Sequence, residues 1–480
     1  MMVNNKEIRV RFAPSPTGHL HVGNSRVAIF NWLFAKHNNG KYLLRIENTD
    51  VERSTKEYLN SQLASLEWLD LLPDEPILYQ MSRLEEHKKV INELLEKGLA
   101  YPCFCDPVEL DKKRAEFMQA GKTYKYNGAC RNLKYSKDDK RLNEPHAIRF
   151  KVPSDCNFVE FEDLVRGKVR LDSEYLDDFV IMRRDGTPTY NFVVVVDDIY
   201  MKISHVIRGE DHISNTHKQI LIYNALEAEI PKFAHLPMIL GPGGKRLSKR
   251  DAATSVKDYR KQGFLPDALF NYLVRLGWSH GDQEVFTKEE MIKYFEFDHV
   301  GKKGAIFDIK KLEWLNGVYL RKKSFEELLN AIKDLNTNYH QKIQELWDAD
   351  KLKSLFEQYK QRSTRLLDMV LDIISLSKDP KVLDLELIKK WHNSKTLELL
   401  KKFLEKFKNV ENISHDNLLD LAKIICKEQE LKLVFLAQPL RLALTGKISS
   451  PGIFNLISIL GKNITVRRVS ALINKLENKE

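Results

Sequence analysis

Residues 8–46 constrain the fold more than any other stretch, because they read in one run as strand, tight loop, helix and strand. Ile8-Arg-Val-Arg-Phe12 is a compact strand by its β-branched and aromatic content. The next residues, Ala13-Pro-Ser-Pro-Thr-Gly-His-Leu-His-Val-Gly23, hold prolines and glycines that exclude regular structure. From Asn24, Val27, Phe30, Leu33 and Phe34 recur on one helical face until Asn38-Asn39-Gly40 ends the helix, and Lys41-Tyr-Leu-Leu-Arg-Ile46 is the next strand. Such a βαβ unit places a ligand where the strand ends and the helix begins, because unpaired N–H groups and the helix dipole favour anions there. His19 and His21 fall at that junction. A loop histidine is more often structural or merely exposed, but two imidazoles beside Gly23 can hydrogen-bond phosphate oxygens. Neither standard nucleotide loop accounts for the segment: G-x-G-x-x-G is missing, and Gly243-Gly244-Lys245 fails as a P-loop because Ile239 and Arg246 stand where Gly and Ser or Thr belong.

The rest of the chain divides by its glycines and prolines. Residues 321–480 hold three of each, against 18 Gly and 13 Pro in residues 1–320. They also show helical spacing in Leu366, Val370, Ile373 and Leu376, so an α/β body over 1–320 precedes an all-helical domain over 321–480. Lys plus Arg is 77 and Asp plus Glu is 67, hence +10; the last 160 residues carry 29 basic and 21 acidic side chains, or +8 of it. That balance suits either a solvated helical surface or an anionic partner such as nucleic acid. The most apolar run, Phe192-Val-Val-Val-Val196, stops at Asp197 and Asp198, far short of the roughly 18–20 residues that span a bilayer. With no apolar leader, the expected location is the cytoplasm. Five cysteines cannot build a disulfide framework; Cys103, Cys105 and Cys130 cluster, which favours a reducing compartment and a metal site.

Arg11-Phe-Ala-Pro-Ser-Pro-Thr-Gly-His-Leu-His-Val-Gly-Asn24 resembles the first signature region of class I aminoacyl-tRNA synthetases of the glutamyl type, with His21-Val22-Gly23-Asn24 as its "HIGH" tetrapeptide. Arg246-Leu247-Ser248-Lys249-Arg250 resembles the second, "KMSKS". Arg45-Ile-Glu-Asn-Thr-Asp50, Thr189–Asp198, Val206–His212, Lys311–Asn316 and Gln438–Gly446 extend the likeness over nearly the whole chain. It implies a Rossmann-type catalytic domain with halves at about 1–80 and 190–240, an acceptor-binding insertion at about 81–189, a stem-contact region at about 241–320 and a helical anticodon-binding domain.

The implied reaction joins L-glutamate to the 3′ end of tRNA through an adenylate, which needs donors on ATP phosphates rather than a protein nucleophile. By resemblance, His21 and Lys249 are the catalytic donors. Val22, Gly23, Asn24, Asp211, Arg246, Leu247, Ser248 and Arg250 accompany them on ATP, which acts with Mg²⁺. Gly241, Gly243 and Gly244 would let the second loop close. Arg11, Ser15, Glu47, Tyr190 and Arg208 take the glutamate; taken singly, the arginines would be surface or ion-paired residues and Tyr190 a half-buried strand tyrosine. Arg246 and Asn48 depart from the family, which usually has Lys and Asp there.

Cys103, Cys105 and Cys130 resemble the zinc segment of the insertion, with Asn132 at the usual histidine position; Tyr126 or water completes the set, or the metal has been lost. Cys156 and Cys426 read as buried thiols, Asp197 and Asp198 as helix caps or surface charges, and Arg441, Arg467 and Arg468 as candidate anticodon contacts. The partners implied are glutamate tRNA, with glutamine tRNA as an open addition; no membrane is expected, and the chain is expected to be a monomer. The other readings are a glutaminyl or tRNA-independent relative and a noncatalytic RNA-binding paralogue. The glutaminyl enzymes normally carry a β-barrel anticodon domain, which the Gly- and Pro-poor third disfavours.

Overall fold

The computed structural model describes residues 7–49, 53–122, 124–134, 139–245, 247, 255–389, 391 and 395–478. Its chain forms two compact units, one of residues 1–258 and 270–308 and one of residues 259–269 and 309–480.

The first unit is built on a seven-stranded sheet. In chain order its elements begin β1 (Arg9–Phe12), α1 (Val22–His37), β2 (Lys41–Ile46) and β3 (Leu78–Tyr79). Then come β4 (Ala100–Cys103), β5 (Ala147–Phe150), β6 (Phe158–Asp163), β7 (Gly167–Asp172) and β8 (Val180–Met182). The sequence returns through α2 (Tyr190–Tyr200), β9 (His205–Gly209), α3 (Ile213–Ala225) and β10 (Lys232–Leu236). The sheet order is β3-β2-β1-β9-β10-β6-β7, parallel throughout except for the β6–β7 hairpin. β1 and β2 are buried almost end to end, as strands covered on both faces must be. Gly40 closes the α1–β2 turn where any Cβ would collide with the Ile8 carbonyl.

One element differs from expectation. The run Val193–Val196, strand-like in composition, lies inside α2, because full burial on both sides outweighs the weak helix propensity of valine. Within the stretch 81–189, β4, β5 and β8 make their own antiparallel sheet, while β6 and β7 join the large sheet beside β10.

The second unit is helical in all its described elements, including Ile309–Lys322, Leu366–Leu376, Thr396–Lys408 and Ile453–Glu477, which kinks at Gly461. Leu366, Val370, Ile373 and Leu376 all face its core. It takes in residues 309–320 and 259–269 as well as 321–480, for an identifiable reason. Buried Asn316 accepts from the Leu265 N–H at 2.7 Å and donates to the Thr364 carbonyl at 2.6 Å, while Leu320 and Leu265 join the same core. No described helix is long and apolar enough to cross a membrane.

Candidate active site

β1 leads through α1 to β2 on one side, and its neighbour β9 leads through α3 to β10 on the other. The connections therefore part at the carboxyl ends of β1 and β9, the point in an open parallel sheet where ligands bind. A cleft of about 440 Å³ opens there, lined by residues from Arg11 to Leu247. Ten residues singled out by sequence meet in it: Arg11, Ser15, His21, Gly23, Asn24, Glu47, Tyr190, Arg208, Asp211 and Leu247. Val22 is buried in α1 instead and does not line the cleft. Arg246, Ser248, Lys249 and Arg250 lie outside the described residues.

His21 caps α1: its Nδ1 accepts the Gly23 N–H at 3.2 Å. In a neutral ring the proton then sits on Nε2, the tautomer that can donate to an anion. His19 does not join it, because Ser61 holds its Nδ1 at 2.8 Å and Tyr58 packs edge-on against the ring. Arg26, one turn into α1, donates to the carbonyls of Pro237 and Leu276 and lines the cleft as a buried cation. Burial pulls its pKa down to about 10.

The other end of the cleft is organised by carboxylates that the sequence reading placed wrongly. Asp197 and Asp198 are neither caps nor surface groups; both are buried on α2. Asp198 accepts from Arg11 at 3.0 and 3.2 Å and from Arg45 at 2.5 Å, and Arg45 also donates to Glu47 at 3.0 Å. Burial disfavours the Asp198 charge, but the two guanidiniums outweigh it and hold the carboxyl below its usual range. Asp197 gathers Gln80, Arg83 and His87 at 2.8 to 3.0 Å. Two adjacent aspartates at the end of a buried apolar helix must find cations, but the helix and its burial are set by the fold and not by the local pattern. Among the described residues Glu47 hydrogen-bonds one guanidinium, Arg45, and burial raises its pKa despite Arg45 and the nearby Arg11, so a further cation at its side would be welcome. Tyr190 opens α2, its hydroxyl 3.2 Å from His212 Nδ1; burial first, then Glu47, pushes its pKa up to about 12.

Arg208 differs from Arg11. It is 5% exposed, and no described carboxylate pairs with it. Its Nε donates to His235 Nε2 at 3.1 Å and its Nη2 to Thr216 Oγ1 and Gln219 Oε1 at 2.7 and 2.8 Å, while Nη1 is buried with no partner. His235, Thr216 and Gln219 carry no sequence motif, and the pattern offered no signal for them.

Asn48 accepts the Met81 N–H at 3.0 Å, a task that an aspartate would perform equally, so this departure preserves the contact. A second cavity of about 440 Å³ is lined by Arg114, Arg149, Arg183 and Lys218 with the rings of Tyr124 and Phe179, and it shares Tyr190 with the first.

Cys103, Cys105 and Cys130 bring their sulfurs within 4.8 Å of one another. The Tyr126 hydroxyl lies 3.5 and 3.4 Å from the first two and accepts the Cys130 N–H at 3.0 Å. Three thiols and a phenol oxygen converging in this way fit a tetrahedral ion, whereas Asn132 is exposed. Cys426 is buried, but Cys156 is partly exposed. In the helical unit, Arg468 cannot contact an anticodon, because it is buried and holds Leu444 O, Leu376 O and Asp379 at 2.7 to 2.9 Å. Arg467 is exposed beside it, and Arg441 donates to Ser450 Oγ at 2.9 Å.

Residues 7–314 match the family of tRNA synthetases class I (E and Q), catalytic domain, and residues 325–473 match the anticodon binding domain family. A glutamate–tRNA ligase of Thermodesulfovibrio yellowstonii is 45% identical over 97% of this chain and 99% of its own length. One of Aquifex aeolicus is 44% identical over 98% and 99%. The crystal structure of a glutamate tRNA ligase from Elizabethkingia meningosepticum in complex with its amino acid superposes with a TM-score of 0.87 at 33% identity, covering 98% of this chain and all of that one.

Proposed function

The chain belongs to the class I tRNA synthetases for glutamate and glutamine, and from that membership we propose that it attaches L-glutamate to the 3′ end of glutamate tRNA. One observation carries the choice of amino acid: Arg208 is a buried cation in the cleft with an unpartnered Nη1 and no described counter-ion. An anionic side chain supplies what it lacks. A neutral amide can accept from Nη1 but leaves the buried charge uncompensated, and a charge-assisted hydrogen bond amounts to roughly 1.5–3 kcal/mol, so glutamine is rejected by about tenfold or more. Glutaminyl enzymes normally carry a β-barrel anticodon domain, whereas no described residue of 309–478 forms a strand, which again favours glutamate.

The residues divide the work. Glu47, short of positive partners, receives the substrate ammonium, and Arg11, Ser15 and Tyr190 complete the amino-acid pocket. The glutamate α-carboxylate attacks the α-phosphorus of ATP, and pyrophosphate leaves. Charge builds on phosphate oxygens, where the His21 Nε2–H and the α1 N-terminus are placed to donate. Gly23, Asn24, Asp211 and Leu247 line the nucleotide end; Lys249, with Arg246, Ser248 and Arg250, adds mobile charge from the second signature. ATP enters as its Mg²⁺ complex. The 2′-hydroxyl of the terminal adenosine then attacks the activated carbonyl, AMP leaves, and the phosphate takes the proton. The cation- and ring-lined second cavity, sharing Tyr190, suits an unpaired 3′ end. Basic residues of the helical unit attract the tRNA backbone.

Zinc held by Cys103, Cys105, Cys130 and Tyr126 would brace the β4 end of the small sheet and take no part in the chemistry. Five cysteines with no disulfide among them suit a reducing cytoplasm, and the chain is taken to act as a monomer. The test is charging of purified glutamate and glutamine tRNAs with ATP, Mg²⁺ and either amino acid. Glutamate on the glutamate tRNA is expected; charging with glutamine, or none at all, overturns the assignment. Glutamate on both tRNAs would define a nondiscriminating enzyme.

A further inference from the structure

The β6–β7 hairpin, which joins the large sheet although it lies within the stretch expected to form the insertion, delivers one buried carboxylate towards the cleft. Asp163 ends β6, and its Oδ1 accepts the N–H groups of Val165 and Arg166 at 3.0 and 2.8 Å. Its Oδ2 accepts from His235 Nδ1 at 2.6 Å and from the His235 backbone N–H at 3.1 Å. His235 is fully buried on β10, and its Nε2 accepts the Arg208 Nε–H at 3.1 Å. The three side chains thus form one directed line from a turn to the arginine that faces the substrate.

We propose that Asp163 and His235 are positioning residues for glutamate selection: Asp163 holds His235 in the Nδ1–H tautomer, so that Nε2 receives the Arg208 Nε–H and Nη1 is presented to the substrate carboxylate. A guanidinium has five N–H groups in a fixed plane, so fixing Nε and Nη2 fixes Nη1. Thr216 and Gln219 take Nη2, but only His235 takes Nε. Burial keeps His235 neutral in spite of the Asp163 charge, so its Nε2 lone pair is available. The groups facing His235 include Asp163 as anion, Arg208 and Arg166 as cations, the imidazoles of His212 and His217, Thr216 as a neutral hydroxyl, and the rings of Phe161 and Phe233. The inference rests on the assignment of Arg208 to the substrate side chain.

Three substitutions separate the roles. In Asp163→Asn the amide oxygen stays on the turn N–H groups and the NH₂ faces His235, so the ring proton moves to Nε2 and opposes the Arg208 Nε–H, donor against donor. His235→Phe keeps the ring volume and removes both hydrogen bonds. His235→Gln sets an amide N–H towards Asp163 and a carbonyl towards Arg208 at nearly the imidazole spacing. In aminoacylation with saturating tRNA, Asp163→Asn and His235→Phe are expected to raise the glutamate KM about tenfold or more, with kcat and the ATP KM changed less than about threefold. His235→Gln should recover most of the loss. Melting temperatures identify variants that fail to fold, and the Gln variant keeps the question open to test even if the Phe variant fails. An unchanged glutamate KM in Asp163→Asn, or an ATP KM rising in step, overturns the inference. Arg208→Ala is the control: an unchanged glutamate KM there sinks the assignment of Arg208 itself, and a raised KM there alone sinks only the roles of Asp163 and His235.

Discussion

Arg11 and Arg208 are both buried arginines in one cleft, yet they are electrostatically opposite. Asp198 neutralises the first through two hydrogen bonds, whereas the second is solvated by uncharged groups: a histidine, a hydroxyl, an amide and the His212 carbonyl. The same distinction between a residue and its contacts governs Asn48. Because its side-chain oxygen accepts the Met81 N–H, Asn48→Asp should leave aminoacylation within about twofold; a larger change, in either direction, would mean that charge at this position matters. At the cysteine cluster, elemental analysis of the purified chain should find one zinc. Cys130→Ser should remove it, and Tyr126→Phe should weaken binding by about tenfold or more in competition with a chelator; full zinc retention in both variants would dissociate these residues from the metal.

At the scale of elements, α2 is the keystone of the catalytic unit, since its last turn carries both buried aspartates. Asp198→Asn leaves Arg11 with no described carboxylate partner and Arg45 with Glu47 alone. The expected loss is about 3–5 kcal/mol, read as a lowered midpoint in urea unfolding; a midpoint within experimental error of the parent would show that the arginines find other partners. In the helical unit the tight point is Gly263, at φ +82°, where a Cβ would collide with the Leu367 N–H while the Gly263 carbonyl accepts from Leu366 at 2.9 Å. Gly263→Ala combines a left-handed strain with that collision and should lower stability by roughly 1–3 kcal/mol, measurable by thermal melting.

For the molecule as a whole, pH is an informative variable. His205, packed against Phe34 at 4.8 Å, has its pKa pulled down to about 4, by burial first and then by Lys232. A depressed histidine leaves stability intact above the unfolded pKa of about 6.5 and withdraws it as pH falls towards 4, because only the unfolded chain takes the proton in that window. Asp163, Asp197 and Asp198 have folded pKa values below 3.8, so their contributions persist above that value and are lost only in stronger acid. The melting temperature should therefore fall from pH 6.5 towards 4, and His205→Phe should flatten that part of the curve; an unchanged slope would assign it to other groups.

The sequence by itself determined what depends on local physics and on motif. The N-terminal βαβ unit, the helical last third and ten cleft residues spread from Arg11 to Leu247 followed from turn chemistry, helical periodicity and the two signatures. Tertiary structure alone decided what depends on contacts between distant segments. Val193–Val196 became helix because burial overrode propensity, and Asp197 and Asp198 became buried hubs because Arg11, Arg45 and His87 reach them from elsewhere in the chain. Asp163 and His235, 72 residues apart, meet only because β6 lies beside β10. Local spacing carries no record of such pairings, since they arise from strand order in the folded sheet.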